Sequence, residues 1–179
     1  MFSPFPIVRD LRSERERERV ERWRCGMIEV AKGRLVGIQL SPWAKSISVA
    51  GVWWNGRRLH WNTEGDRCRL YYYQPLGLRY YLTVSYIVSN RDTSFETVCG
   101  ALQVLDEVAR IKETDAIVSV VTNDRISDRV VQRWGWERHL PESRRRHFIK
   151  RFYGTYPQTP LPLALSANPL HTADSALAT

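Results

Sequence analysis

The sequence is poor in cysteine, and the three cysteines that it contains lie far apart. Cys25, Cys68 and Cys99 form no C-x-x-C pair, and an odd, scattered set argues against a disulfide framework and against a structural zinc site. No stretch approaches the roughly 18 apolar residues that a membrane span needs. The segment from Met1 to Asp10 has no apolar run long enough for a signal peptide. We therefore expect a cytoplasmic protein with no metal and no membrane partner.

The C-terminal segment lacks basic residues altogether. From Gln158 to Thr179 it contains three prolines, many alanines and serines, and no Lys or Arg. Such a composition buries too little apolar surface to offset the entropy of ordering the chain. We expect a disordered tail over residues 157–179, with a short docking peptide as the alternative.

The chain as a whole has the composition of a folded protein. Of the 179 residues, 43% are hydrophobic and 11% are aromatic, which is enough for a core. The net charge of +8 favours polyanionic partners such as nucleic acid, anionic lipid or a nucleotide cofactor. We expect a charged helical segment over residues 1–26 and one domain over residues 27–156.

The charged segment alternates Glu and Arg from Leu11 to Arg24. Opposite charges three or four residues apart stabilise a helix by a few tenths of a kcal/mol per pair. Leu11, Val20 and Trp23 give this helix a thin apolar stripe. Because Glu offsets most of the Arg, the pattern favours a solvated surface helix over a nucleic-acid-binding arm.

Runs of β-branched and aromatic residues predict the strands of the domain. Two hairpin turns are expected, at Lys32-Gly33-Arg34 and at Asn55-Gly56. The predicted strands are Met27–Ala31, Leu35–Leu40, Val49–Trp54, Arg57–Trp61, Leu70–Tyr73, Arg79–Ser89, Ala116–Val121 and His147–Tyr153.

Two helices are predicted between the later strands. Apolar residues at helical spacing run from Val98 to Lys112, after a Thr93-x-x-Glu96 capping-box pattern. A shorter helix from Ile126 to Trp134 ends at Gly135, a residue suited to a left-handed helix stop. The sum is an α+β fold (also describable as α/β), with a mixed, largely antiparallel sheet and flanking helices.

The order of these elements resembles the GNAT acyltransferase fold, in which antiparallel strands precede a strand–helix–strand–helix–strand series. Three features carry the resemblance over roughly Met27 to Tyr153. Gly33-Arg34-Leu35-Val36-Gly37 is similar to the family's G-x-hydrophobic-V-G strand, and the strand ending at Val88 leads directly into the long helix. Thr122-Asn123, followed by Trp134-Gly135-Trp136, is similar to the late N…GF segment. The structural alternative makes Gly135 a helix stop and both tryptophans core anchors.

The resemblance implies an N-acyltransferase that uses acetyl-CoA or another acyl-CoA as co-substrate and an amine as acceptor. It also implies which residues contact the cofactor. Backbone pairing with pantetheine falls to Ile87, Val88 and Ser89. The pyrophosphate lies near Arg91, Ser94, Phe95, Glu96 and Thr97, and the acyl end near Asn123.

The loop that the resemblance assigns to the pyrophosphate departs from the family's Q/R-x-x-G-x-G/A pattern. Arg91 matches its first position, but Ser94 and Glu96 replace the two small residues. Glycine lets the backbone approach a phosphate at a helix N-terminus. A carboxylate about 4 Å from a phosphate charge repels it by about 4 kcal/mol at an effective dielectric near 20. The structural alternative for Glu96 is its place in the capping box.

The sequence identifies no catalytic residue. Many family members have a tyrosine that protonates the leaving thiolate, and counting from either neighbouring motif places Val130 or Val131 there. Tyr153 and Tyr156 are the tyrosines that remain as substitutes. Whether the protein is an active enzyme is therefore left open. Histidine is the residue type that most often serves as a general base, and the histidines with no visible partner in the sequence are His60, His139 and His147.

The alternative function is a non-catalytic module that binds nucleic acid or a protein. Strand aromatics such as Trp53-Trp54 and Tyr71-Tyr72-Tyr73 lie among arginines, an arrangement that suits base stacking and also suits an ordinary sheet core. A denser basic cluster has the charge to bind the phosphates of CoA or of RNA. The structural alternative is that it forms only a solvated loop. Its members are Arg138, Arg144, Arg145, Arg146, Lys150 and Arg151.

Overall fold

The computed structural model describes residues 5–43, 65–121 and 126–157 of the chain. Within these ranges the chain forms eight strands and three helices. The strands are β1 (Ile7–Val8), β2 (Cys25–Ala31), β3 (Arg34–Ser41), β4 (Arg67–Tyr73), β5 (Tyr81–Ser89), β6 (Ala116–Val121), β7 (Glu137–His139) and β8 (Arg146–Arg151). The helices are α1 (Glu14–Arg22), α2 (Phe95–Ile111) and α3 (Asp128–Arg133).

The eight strands form one open sheet in the order β1-β3-β2-β4-β5-β6-β8-β7. Strands β5 and β6 run parallel, and the other neighbouring pairs in the described sheet are antiparallel. A parallel pair needs a crossover connection, and α2 supplies it here. The predicted α+β class, with a mixed and largely antiparallel sheet, is confirmed.

The core lies between one face of the sheet and helices α1 and α2. Ile28, Ile38, Leu70 and Leu82 are fully buried on the strands. Val20 of α1 is also fully buried, and it belongs to the same core as the apolar stripe of α2. The fully buried residues of that stripe are Ala101, Val104, Leu105, Val108 and Ala109. Burial of each large aliphatic side chain contributes about 1.5–3 kcal/mol.

The predicted hairpin between β2 and β3 is confirmed. Lys32 and Gly33 have φ of 50° and 69°, the two positive values that a type I′ turn requires. The hairpin predicted around Asn55-Gly56 and the tail beyond Pro157 lie outside the described residues. In the described part of the chain, no helix is long and apolar enough to cross a membrane.

Two strands were not predicted, and both are short. In β1, Val8 pairs with Ile38 and is fully buried, although two residues are too few to show an alternating pattern. In β7, Glu137–His139 pairs with β8 directly after the short helix, and its residues are polar. Both strands lie at the edges of the sheet, where pairing on one side suffices.

Candidate functional site

The sheet opens between β5 and β6 near the carboxyl ends of both strands. Their parallel register runs from Tyr81↔Ala116 to Val84↔Ser119 and stops there. Strand β5 then continues to Ser89, where it stays paired with β4 on its other side. Within the described residues, no strand pairs with residues 85–89 on the side away from β4, and we call this unpaired side of β5 the opening.

A β-bulge accounts for this divergence. The β4–β5 ladder passes from Tyr71↔Tyr86 to Tyr72↔Val84, so Ser85 has no residue opposite it. A bulge bends its strand and increases the local twist. Because this bulge follows Val84, the last residue paired with β6, it turns β5 away from β6 at the point where the opening begins.

Helix α2 begins beside this opening, and Ser94 caps it. The Ser94 hydroxyl accepts a hydrogen bond from the Thr97 amide at 3.1 Å. The predicted capping box, Thr93 with Glu96, is therefore wrong by one residue. Thr93 instead donates its hydroxyl to the Arg67 carbonyl at 2.8 Å, which ties the loop before the helix to β4. Ser94 is the cap because its backbone is still extended, with φ of −68° and ψ of 155°, directly before the first helical residue, Phe95.

An internal carboxylate, Asp66, occupies the end of α2. Its Oδ1 accepts the Ser94 amide at 2.8 Å, and its Oδ2 accepts the Ser94 hydroxyl at 2.8 Å. Asp66 directly precedes β4 and lies 28 positions upstream of Ser94 in the sequence. No local sequence pattern indicates this contact, because it depends on the pairing of β4 with β5.

The pKa of Asp66 is lowered although partial burial works to raise it. The hydrogen bonds from the Ser94 amide and from the Thr97 and Ser94 hydroxyls outweigh the burial, and the charge of Lys32 adds to their effect. Asp66 is therefore ionised at neutral pH. A negative charge at a helix N-terminus is also stabilised by the helix dipole.

Glu96, the carboxylate that the sequence points to, lies toward the β2–β3 turn. A methyl group placed on Gly33 would come within 3.0 Å of Glu96 Oε1. The Gly33 amide donates to the Thr97 hydroxyl oxygen at 2.9 Å. The turn therefore packs directly over the first turn of α2. Glycine at position 33 leaves room for the Glu96 side chain.

The structure brings most of the predicted cofactor residues to this one end of the sheet. Ile87, Val88 and Ser89 form the last part of β5, beyond the final pair with β6. Arg91 is exposed in the following turn. Ser94 is the cap, and the three residues that follow it form the first turn of α2: Phe95, Glu96 and Thr97. Asn123 lies outside the described residues.

The late segment packs against the start of α2. Phe95 is 67% exposed, and its ring centroid lies 6.1 Å from that of Trp134, which follows α3. Gly135 has a φ of 81°, so the helix stop expected there is confirmed. Trp136 is buried in the core. These residues therefore have the structural roles of the alternative reading, and Trp134 also borders the helix end.

No proton donor is found where the family's tyrosine would lie. Val130 and Val131 are on α3, and Val131 is buried. The Tyr156 hydroxyl donates to the Thr114 carbonyl at 3.0 Å, two residues before β6 begins, which is the far end of that strand from the opening. Tyr153 follows β8 near the same far end and is exposed. Both tyrosines therefore lie at the other end of β6 from the opening.

The histidine nearest to the opening in the described strands is His147. It pairs with Val120, the residue after the last β5–β6 pair, and with His139 on its other side. Lys150 contacts Asp106 of α2, and His147 lies three positions earlier on the same strand. Alternate residues of a strand face opposite ways, so His147 projects from the face away from α2.

Most of the basic cluster is engaged within the molecule. Asp128 pairs with both Arg138, at 2.7 Å, and Arg146. The Lys150 ammonium lies 2.6 Å from Asp106, and Arg151 pairs with Glu137. Arg144 and Arg145 are exposed, and no carboxylate of the described residues pairs with them. Two cations of the six therefore remain available to a polyanion.

The strand aromatics divide into a buried and an exposed set. Tyr71 and Tyr72 are buried, which fits the sheet-core interpretation, whereas Tyr80 and Tyr81 are exposed. Arg67 and Arg69, which precede the buried pair on β4, both donate to Glu29 at 2.9 Å. Trp53 and Trp54, the other strand aromatics that the sequence suggested for base stacking, lie outside the described residues.

Comparison with protein-family models, with curated proteins and with solved structures finds no match for this chain.

Proposed function

We propose that this chain is a divergent GNAT-like protein that binds a pantetheine thioester such as acyl-CoA and transfers its acyl group to an amine. The observation that carries the proposal is the opening in the sheet, where parallel pairing ends at Val84 while β5 runs on to Ser89. Backbone groups along this edge need a hydrogen-bonding partner. The two amides of an extended pantetheine arm have the chemistry to supply one.

The residues around the opening support this assignment of roles. Ile87, Val88 and Ser89 offer backbone groups to the arm, and the acceptor amine attacks the thioester carbonyl directly. The leaving thiolate then takes a proton. The Tyr that many relatives use is replaced by valine, so the proton comes from solvent or from the acceptor. We expect transfer to be slow, since a positioned general acid contributes about 10²–10⁴-fold.

A cytoplasmic location is part of the same proposal. Cys25, Cys68 and Cys99 are free thiols in the structure. Free thiols persist in a reducing compartment, where acyl-CoA is also found.

The first test is a thermal-shift titration with acetyl-CoA, CoA and, as a polyanion control, ATP. A ligand at 100 times its Kd adds about 2.7 kcal/mol of stability, which raises the melting temperature by several degrees. We expect a rise with acetyl-CoA that ATP does not reproduce. If neither CoA species raises the melting temperature, the protein is not an acyl-CoA-type transferase.

A second candidate function is a non-catalytic module for nucleic acid or a protein partner. The observation that favours it is Asp66, which occupies the helix end that would otherwise hold a phosphate. In that case an RNA oligonucleotide binds with an affinity that falls steeply as salt rises, and acetyl-CoA has no effect. A module for proteins alone responds to neither ligand.

A further inference from the structure

Asp66 gives the end of α2 an anion of its own. In an α-helix, the first amides have no partner within the helix and attract negative groups. Here Asp66 takes the Ser94 amide and the Ser94 hydroxyl, each at 2.8 Å. The amides of Phe95 and Glu96, at the first two helical positions, then lie beside a carboxylate that is already in place.

Two further contacts fix this carboxylate in position. The Lys32 amide donates to the Asp66 carbonyl at 2.9 Å, so the β2–β3 turn fastens its backbone. The Asn90 side-chain amide donates to the carbonyl of Gly65, the preceding residue, at 3.0 Å. With its backbone fastened on both sides, Asp66 has little freedom to move aside for another anion.

We propose that Asp66 is a specificity-determining residue of the site that binds the acyl donor. Its carboxylate makes this site recognise the pantetheine arm of a thioester and disfavour a nucleotide diphosphate. The inference rests on the proposed function, since it concerns the donor of that same site. If so, the acyl donors that this site accepts share the pantetheine arm and need not carry a nucleotide. Acyl-pantetheine binds about as well as acyl-CoA, because the diphosphate gains no favourable contact at the helix end.

The experiment compares S-acetyl-pantetheine with acetyl-CoA by isothermal titration calorimetry at low ionic strength, where charge effects are least screened. The full-length protein is compared with its Asp66→Asn variant. Asparagine keeps the shape, and its carbonyl oxygen still accepts the Ser94 amide. We expect the wild type to bind the two thioesters within about threefold of each other. We expect Asp66→Asn to bind acetyl-CoA about tenfold more tightly, with acetyl-pantetheine unchanged.

Asp92→Asn is the matched control. Asp92 is exposed in the loop between β5 and α2. Its backbone amide donates a hydrogen bond to the Asn90 side-chain oxygen, and this bond does not involve the Asp92 carboxylate. This variant removes the same charge without touching the helix cap, so its affinity for acetyl-CoA should rise less than about threefold. Asp66→Ser serves as a second variant if Asp66→Asn does not fold, because its uncharged hydroxyl can still accept a hydrogen bond.

The possible outcomes separate the two proposals. Equal gains for Asp66→Asn and Asp92→Asn, or a wild type that prefers acetyl-CoA by more than about tenfold, overturn the role of Asp66 and leave the proposed function standing. Binding of neither thioester to folded wild type or folded variant overturns the proposed function and this inference with it.

Discussion

Neighbouring basic residues near the end of β8 make ion pairs of very different burial. The Lys150–Asp106 pair joins β8 to α2 at 2.6 Å, and both side chains are only 12% exposed. The adjacent Arg151 pairs with Glu137, whose side chain is 68% exposed. Burial raises the pKa of Asp106, and the neighbouring Lys150 charge opposes that rise. The Lys150 charge therefore favours the ionised form of the Asp106 carboxyl against the effect of burial.

We expect Lys150→Met to lower the free energy of unfolding by about 3 kcal/mol at pH 7, because it leaves a buried carboxylate without its partner. The adjacent Arg151→Met should cost less than about 1 kcal/mol, as exposed pairs do. Urea unfolding of both variants measures the difference. Equal losses would contradict it, and the double variant Lys150→Met/Asp106→Leu should recover most of the stability if the unpaired charge is the cause.

At the residue scale, the sequence pattern and the structure point to different carboxylates near the start of α2. Glu96 was singled out because it replaces a small residue of the pattern that the loop resembles, yet its carboxylate lies toward Gly33. Asp66 holds the helix amide, and its 28-residue separation from Ser94 hides the contact from any local pattern. Local spacing predicts helix caps to within a residue or so, whereas contacts made by strand pairing need the sheet.

At the element scale, Lys112 links the ends of two helices. It caps α2, and its ammonium donates to the Glu21 carbonyl in the last turn of α1 at 2.8 Å. Burial lowers the pKa of Lys112 from 10.5 to about 8; Glu21 and Cys25 oppose this shift, and Arg24 adds to it. Burial of the charged Lys112 ammonium therefore lowers the free energy of unfolding.

The pH dependence follows from this lowered pKa. Below pH 8 the lysine is protonated in both states, and the cost of burying the charge is fully present. Between about pH 8 and 10.5 the unfolded chain holds more protons than the folded one, so this residue makes stability rise with pH. We expect Lys112→Met to remove a rise on the order of 2–3 kcal/mol, measured by urea unfolding across that range. Lys32→Met, at an exposed lysine, should keep the rise; its loss there would show that another group is responsible.

The elements themselves were predicted well where the pattern is long. Helical spacing of apolar residues located α2 within a few residues, and β6 was predicted with the bounds that the structure has, Ala116–Val121. Edge strands β1 and β7 were missed because two or three residues carry no period. The bulge at Ser85 was also missed, since it arises from unequal pairing between β4 and β5.

At the scale of the whole molecule, a net charge of +8 does not imply an open basic surface. Four of the six residues in the C-terminal cluster are paired with carboxylates, and the two exposed exceptions are Arg144 and Arg145. Any weak attraction to RNA through this cluster should therefore depend on those two residues.

We expect Arg144→Ala/Arg145→Ala to reduce the salt dependence of binding to a single-stranded RNA by about one to two phosphate contacts, with the melting temperature unchanged. The control Arg138→Ala/Arg146→Ala removes the same charge but leaves Asp128 unpaired, so it should lower stability and alter the salt dependence less. Fluorescence anisotropy at several salt concentrations makes the comparison. An equal effect of the two double variants would show that paired arginines also reach the RNA.

The fold class was predictable from the order of the elements, and the resemblance implied a split between two neighbouring strands, but the residue at which the β5–β6 pairing ends was not predictable. A strand–helix–strand series requires a parallel pair, and β5–β6 is that pair. How far the pairing extends depends on the twist that the bulge adds, and no single segment of the sequence records that twist.

The short parallel register has a mechanical consequence. Four residue pairs, Tyr81↔Ala116 to Val84↔Ser119, join the strands before β5 to the strands after it. The sheet therefore has a seam, reinforced from one side by the Lys150–Asp106 bridge to α2. We expect a molecule bound in the opening to contact both β5 and β6 beyond their last residue pair, and so to extend the connection between them. We expect a molecule bound there to restrict the motion of β6, β7 and β8 relative to β5, because four residue pairs join β6 to β5.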